Sequence, residues 1–191
     1  MASFVEISSN ALRLLGDDPI TSFGDDTERA RLVNAIYEEM RDDVTRAAVW
    51  NCCKARQVLA ALTETPAFGW GYYHQLPGDN LRVVDVLSGD TRIDHTIEGR
   101  RLMTDVSSVN LIYLKRVTDP NDFDALFISA LTARIAAELA LPISGSNTVA
   151  TAMWTAYDKK VKEARTIDSQ EGTPANLDAQ SIMDARAGSV T

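Results

Sequence analysis

Apolar residues recur at steps of three and four in four stretches of the chain, which is the period of an amphipathic α-helix. The first stretch begins at Ser3, three residues before Glu6, as in a capping box. Gly16 follows it as a C-terminal cap, and residues 119–122 provide a start signal for the third stretch. The pattern predicts helices at about 3–15, 26–49, 121–140 and 147–165.

The width of an apolar face indicates how deeply a helix is buried. The third helix has the widest face, which predicts a central core helix, and Pro142 and Gly145 are expected to end it. Its face consists of Phe123, Phe127, Leu131, Ile135 and Leu139, widened by Leu126 and Ala130; that of the first helix consists of Phe4, Ile7, Ala11, Leu14 and Leu15.

Residues 52–117 lie between the two helix pairs and contain short apolar runs typical of β-strands. We expect one small antiparallel sheet of about three to five strands, a common size for such sheets. Its strands are predicted at 81–87, at 109–117 and at 52–59, where a frayed helix end is the alternative.

Residues 93–103 indicate a hairpin with its turn at Glu98 and Gly99. Arg100 and Arg101 form a small basic spot at its tip. Ordinary solubility explains such a spot, and contact with an acidic partner is the functional alternative.

These elements predict an α+β fold that is mostly helical. Amphipathic helices pack as a bundle, and the small antiparallel sheet with its hairpin is inserted between the N-terminal and C-terminal helix pairs. Residues 1–166 form a single domain in this interpretation. Residues 167–191 carry four acidic residues against one arginine, and Leu177, Ile182 and Met183 are the largest apolar side chains of residues 168–191. We expect them to form an extended tail that becomes ordered on a partner.

The stretch FGWGYYHQLPGD, residues 68–79, concentrates aromatic and glycine residues before the second predicted strand. Trp70, Tyr72 and Tyr73 suggest a carbohydrate site or a base-stacking platform. A stacking platform is normally accompanied by basic neighbours, which this stretch lacks. We favour a structural corner between sheet and helices, with Pro77 fixing the turn into the strand.

The net charge of −8 changes the range of plausible partners. Such a chain repels phosphate on average, which argues against stable nucleic-acid binding and suits a surface past which DNA moves without adhering.

The adjacent Cys52 and Cys53 do not make a disulfide framework, so we expect reduced, partly buried thiols. We expect no signal peptide, because the first residues lack a basic region and a long apolar run. No apolar run approaches the roughly 18 residues of a membrane span, so we expect a soluble protein without membrane contact.

Catalytic and metal-binding patterns are absent from the sequence. It contains no phosphate-binding loop, GxGxxG, HExxH or GxSxG motif, so we expect no enzyme, cofactor or metal. His74 and His95 are interpreted as structural or exposed. The acidic residues Asp17, Asp18, Asp25 and Asp26 lack the spacing of a calcium loop, and turn or N-cap roles explain them better.

The order of several motifs resembles that of a known family. Leu15-Gly16 precedes Pro19-Ile20, Trp50 ends the second helix, an aromatic loop leads into Leu76-Pro77-Gly78-Asp79, and a helix with the texture of residues 123–139 follows the last strand. This arrangement, over most of residues 3–165, resembles the tail tubular protein A family of tailed bacteriophages. Proteins of that family are head-to-tail adaptors, also called connectors.

The resemblance implies a structural virion protein that is made in the host cytoplasm. It implies a homo-oligomer, a twelve-subunit ring in the neck between the portal protein and the tail nozzle or tube, with double-stranded DNA passing through the ring without specific binding. In this hypothesis Leu177, Ile182 and Met183 contact the portal. Glu98, Gly99, Arg100 and Arg101 of the hairpin contact a neighbouring subunit or the nozzle.

Three alternatives remain open from the sequence. The nearest is another head-completion or tail-tube ring protein. A ligand- or carbohydrate-binding module would use Trp70, Tyr72 and Tyr73. A hydrolase that combines His74 with Asp79 has the least support.

Overall fold

The structure, a computed structural model, describes residues 3–170 and shows an α+β fold with four helices and two small antiparallel sheets. Leu177, Ile182 and Met183 lie outside the described residues. Two short 3-10 turns, Asn51–Cys53 and Pro120–Asp122, precede the sheet region and the third helix. The helices are α1 (Phe4–Leu14), α2 (Glu28–Ala47), α3 (Ala125–Ser144) and α4 (Asn147–Gln170).

The strands form one sheet of four and one of three, in the orders β1-β7-β3-β4 and β2-β6-β5. All pairings are antiparallel. The strands are β1 (Lys54–Ala60), β2 (Tyr72–Gln75), β3 (Asn80–Ser88), β4 (Thr91–Arg92), β5 (Thr96–Glu98), β6 (Arg101–Thr104) and β7 (Ser108–Lys115).

The expectation of a single sheet is wrong, because the chain leaves the first sheet after β4. Residues 93–95 connect β4 to β5, and the predicted hairpin of β5 and β6 then pairs with β2 in a second sheet. The sequence does not predict β2, because the aromatic residues of this stretch are interpreted as part of a loop. Tyr72 and His74 lie on the same face of β2, yet Tyr72 is exposed and His74 is buried, so β2 does not show the alternation of exposed and buried residues by which a strand is recognised in a sequence.

Two helices begin later than the sequence predicts, and each begins directly after the residue that caps it. Thr27 caps α2 by accepting from the Ala30 N–H, so α2 starts at Glu28. Asp124 caps α3 by accepting from two backbone N–H groups, while Asp119 caps the separate 3-10 turn before it. The capping role of Ser3 in α1 is confirmed, because its side chain accepts from the Glu6 N–H.

Pro142 does not end α3, which continues to Ser144 and stops at Gly145 with a φ of 63°. Proline removes one donor from the last turn and leaves the carbonyl of Glu138 without its helical partner. Glu138 lies on the exposed side of the helix, where solvent supplies the missing donor.

The larger hydrophobic core lies around α3, as its wide apolar face predicts. Phe127, Leu131 and Ile135 are fully buried, and α3 packs against α1, α2 and α4. Within the described residues α3 alone has the length and composition of a membrane span, and half of that window is buried inside the protein. It is therefore the core helix of this fold.

The predicted face of α1 is wrong at one position. Leu14 is 50% exposed, whereas Leu12 is fully buried and belongs to the core. A smaller core lies in the sheet region and includes Leu76, Leu102 and Leu111.

The C-terminal end of α2 joins helices and sheets. Trp50, only 1% exposed, donates from Nε1 to the Val44 carbonyl at 2.7 Å and meets Phe127 edge-on at 5.2 Å between ring centroids. Arg82 of β3 donates to the Arg46 carbonyl, and Arg165 of α4 donates to the Ala47 carbonyl. Three carbonyls in the last turn of α2, which lack partners within the helix, are thus satisfied from three other parts of the chain.

We predict that Trp50→Ala lowers the free energy of unfolding by about 3–5 kcal/mol, because it empties a fully buried site and leaves the Val44 carbonyl unpaired. Trp70→Ala is the matched control and should cost less, since Trp70 is only half-buried and lies outside both cores. Urea denaturation of both variants measures the difference. Equal losses would show that the aromatic stretch supports the fold as strongly as Trp50 does.

Candidate functional site

The β5–β6 hairpin is fixed to the turn that precedes β3. Its two-residue turn is Gly99-Arg100, one position later than the sequence predicts, because Glu98 already pairs with Arg101. The Arg100 side chain donates to the carbonyls of Pro77 and Gly78 at 2.8 and 3.0 Å. The hairpin tip is thereby held in place by backbone acceptors.

The second arginine of the hairpin is also engaged within the chain. Arg101 forms an ion pair with Glu64 at 2.8 Å, and its guanidinium lies 4.9 Å from the centroid of the Tyr73 ring. The ion pair lowers the pKa of the Glu64 carboxyl. Arg101 therefore links the hairpin to the segment before β2. The predicted basic spot at the hairpin tip consists of two arginines that already have partners.

The aromatic residues predicted to form a corner lie at and just before β2. Trp70 and Tyr73 are half-buried, Tyr72 is exposed, and all three lie outside the residues of the two cores. Pro77 opens a turn in which its carbonyl accepts from the Asn80 N–H at 3.1 Å, directly before β3. Pro77 therefore lies at the start of the turn that leads into β3. Phe68, which the sequence interpretation did not single out, is 88% exposed.

The two histidines have structural surroundings. His74 is fully buried, with Nε2 placed 2.9 Å from the Val106 carbonyl and 3.3 Å from the Thr104 hydroxyl. Asp79, its suggested catalytic partner, accepts from the Tyr113 hydroxyl instead. His95 is exposed, with Nδ1 3.3 Å from the Ile93 carbonyl. His74 therefore contacts a hydroxyl and a carbonyl in the core, whereas His95 contacts a backbone carbonyl at the surface.

The cysteine thiols lie close together, with 3.8 Å between Sγ atoms, and no disulfide joins them. A hydrogen bond with Cys52, together with burial, raises the pKa of the Cys53 thiol far above its ordinary range. Burial and this hydrogen bond thus both favour the protonated form of the Cys53 thiol.

The aspartates considered for a cation are used in turns and ion pairs. Asp17 and Asp18 pair with Arg29, and Asp26 pairs with Arg31. Asp25 accepts from the Thr21 backbone and hydroxyl, and these bonds lower its pKa. Within residues 3–170, no group of three or more potential ligands is arranged to hold a metal ion.

A groove of about 380 Å³ lies between the end of α2, the start of β3 and the hairpin tip. We call it the arginine groove, because Arg46, Arg82 and Arg100 line it. None of the described lining residues is acidic. Its apolar lining residues are Leu76, Leu81, Val83 and Ile97, and its remaining ones are Asn80 and Gly99.

The arginines of this groove are positioned by carbonyl groups. Arg46 donates to the Leu81 carbonyl, Arg82 donates to the Arg46 carbonyl, and Arg100 donates to the two carbonyls named above. A carbonyl orients a guanidinium without cancelling its charge, and each guanidinium retains further N–H donors. The groove is therefore a local positive site on an acidic protein. Sequence reasoning did not find it, since its arginines are 18 and 36 positions apart.

A comparison with protein-family models found no match, and a search of curated proteins found none either.

We predict that Gly99→Ala destabilises the protein by about 1–2 kcal/mol, since a side chain is strained at its φ of +60°. Gly78→Ala is the matched control in the adjacent turn. Gly78 has no positive φ and open space around its Cβ position, so the same change should be stabilising by about 0.4–1 kcal/mol. Thermal unfolding of the two variants compares them. Equal tolerance would contradict the turn geometry described for the hairpin.

Proposed function

We propose that this chain is a structural virion protein, a head-to-tail adaptor that forms a ring between the portal and the tail tube or nozzle. The observation that carries the proposal is the ordered set of motifs in residues 3–165 that resembles the tail tubular protein A family. In the proposed state the helices pack as a bundle in the ring wall, and twelve copies close the ring. Double-stranded DNA passes through it without specific binding.

The positions that carry the resemblance have structural roles in this fold, which supports the proposal. Trp50 is the buried junction between α2 and α3, and Leu76 belongs to the smaller core. Pro77 and Asp79 lie in the turn into β3, where the Asp79 carbonyl accepts from the Arg116 N–H at 2.8 Å. A resemblance at such positions concerns how the chain folds, as expected for a scaffold protein without catalytic residues.

The proposed contacts of the ring lie at two places. In the hairpin, Glu98 and Gly99 are exposed and contact a neighbouring subunit or the nozzle. Arg100 and Arg101 belong to the same contact and keep their hydrogen bonds and ion pair within their own chain. The C-terminal tail extends along the portal, with Leu177, Ile182 and Met183 as apolar anchors. The proposal includes no cofactor, metal or membrane, and it places the mature protein in the virion neck.

A second candidate function is a ligand- or carbohydrate-binding module. The exposure of Phe68 and Tyr72 favours it, because exposed aromatic rings provide stacking surfaces. Titration with sugars, followed by tryptophan fluorescence of Trp70, distinguishes it from the adaptor. Another head-completion or tail-tube ring would differ from the adaptor in its partner, and binding to the portal tests that difference.

We predict that deletion of residues 172–191 abolishes attachment to the portal of the same phage while circular dichroism still shows an intact fold. The deletion removes all three proposed anchors. Deletion of residues 185–191 alone is the matched control and should leave attachment intact, since it keeps Leu177, Ile182 and Met183. Co-sedimentation with portal rings measures binding. Normal binding of the longer deletion would refute the portal role of the tail.

A further inference from the structure

The arginine groove combines two properties that together suit a particular kind of peptide. Its three arginines have carbonyl partners and no acidic partner among the described residues, so their charge is not neutralised. Its apolar part includes Ile97, which is 42% exposed. A segment that alternates acidic and apolar residues would neutralise the charges and cover the apolar surface at the same time.

The side chain of Asn80 adds a further polar group to the groove. Its Oδ1 is buried and has no hydrogen-bond partner among the described residues. Buried polar atoms normally have a partner, so this acceptor is open to a donor that the described residues do not supply. The backbone N–H groups of a docked segment are such donors.

The chain itself contains a segment of the required chemistry. Residues 177–184, LDAQSIMD, carry two carboxylates, at Asp178 and Asp184, and no basic residue. Each carboxylate directly adjoins an apolar side chain, Leu177 in one case and Met183 in the other. This spacing places both kinds of group within eight residues.

Arg165, near the end of α4, contacts the neighbour in sequence of a residue that lines the groove. Arg165 of α4 donates to the Ala47 carbonyl, and Ala47 directly follows Arg46, which lines the groove. Gln170, the last residue of α4, is one and a half turns further on, about 7–8 Å along the helix axis. The seven residues from Gln170 to Leu177 extend up to about 25 Å, which provides ample reach from the end of α4.

We propose that residues 177–184 dock into the arginine groove of their own chain. Asp178 and Asp184 pair with the groove arginines, and Leu177, Ile182 and Met183 cover its apolar part. Because the segment is tethered, its effective concentration at the groove is in the millimolar range, so a weak contact is sufficient. This inference concerns the isolated chain and does not require that the chain forms a ring.

The docking has a consequence for assembly that rests on the proposed function. The same three apolar side chains are the proposed portal anchors, so groove and portal compete for them. In the free protein the segment is then bound to the groove, and during assembly it leaves the groove and binds the portal.

The test uses the full-length protein with a photo-cross-linking benzoylphenylalanine in place of Ile182. Equal amounts of unlabelled and ¹⁵N-labelled protein are mixed, irradiated without portal and analysed by mass spectrometry. We expect cross-links to residues 80–83 and 97–100, with both peptides of each pair carrying the same isotope. The same probe at Val190, outside the docking segment, is the control and should give at least a fivefold lower yield at these sites.

Two results would overturn the proposal. Cross-links between peptides of different isotopes would assign the groove to a second copy, and a lack of cross-links to the groove would remove the segment from it. The probe variant that also carries Asp178→Arg and Asp184→Arg should lose most of the yield, and circular dichroism of this variant checks that its fold is intact. An unchanged yield would contradict the charge pairing. Each readout is independent of portal binding, so failure here leaves the adaptor proposal standing.

Discussion

The fold depends on how the last turn of α2 is completed. A helix end leaves carbonyl groups without partners, and a buried end requires donors from elsewhere. Here the donors are the Trp50 indole, Arg82 of β3 and Arg165 of α4. Because the Trp50 ring also packs against Phe127 of the core helix, one junction fixes α2 relative to α3, α4 and the first sheet. The turn before β3 and the hairpin are positioned from this junction outward.

The net charge of the chain is negative, whereas the charge of the arginine groove is positive. The net charge of −8 argues against a stable grip on DNA, and it suits a conduit surface. The same chain nevertheless has a groove with three arginines whose partners are carbonyl groups. Arg101 and Arg134, in contrast, are paired with carboxylates and lie over aromatic rings. The net charge therefore describes long-range behaviour but not the chemistry of a particular contact.

Parts of this fold could be predicted from the sequence because they depend on local periodicity. The steps of four from Phe123 to Leu139 identify α3 and its buried face, and the capping role of Ser3 follows from three residues. Other parts depend on distant contacts. β2 is recognisable only through its pairing with β6, and the separation into two sheets follows from where residues 93–95 leave β4. The arginine groove unites Arg46, Arg82 and Arg100, whose proximity no local pattern encodes.

The proposed function depends on assembly, so the most direct measurement is the mass of the protein alone and mixed with the portal ring that the proposal assigns to it. Light scattering with electron-microscope class averages provides it. The adaptor account predicts a complex in which this chain forms a ring with the symmetry of the portal. No association with the portal under any condition would contradict the account, and the exposed aromatic residues Phe68 and Tyr72 would then be the first surface to examine for a ligand.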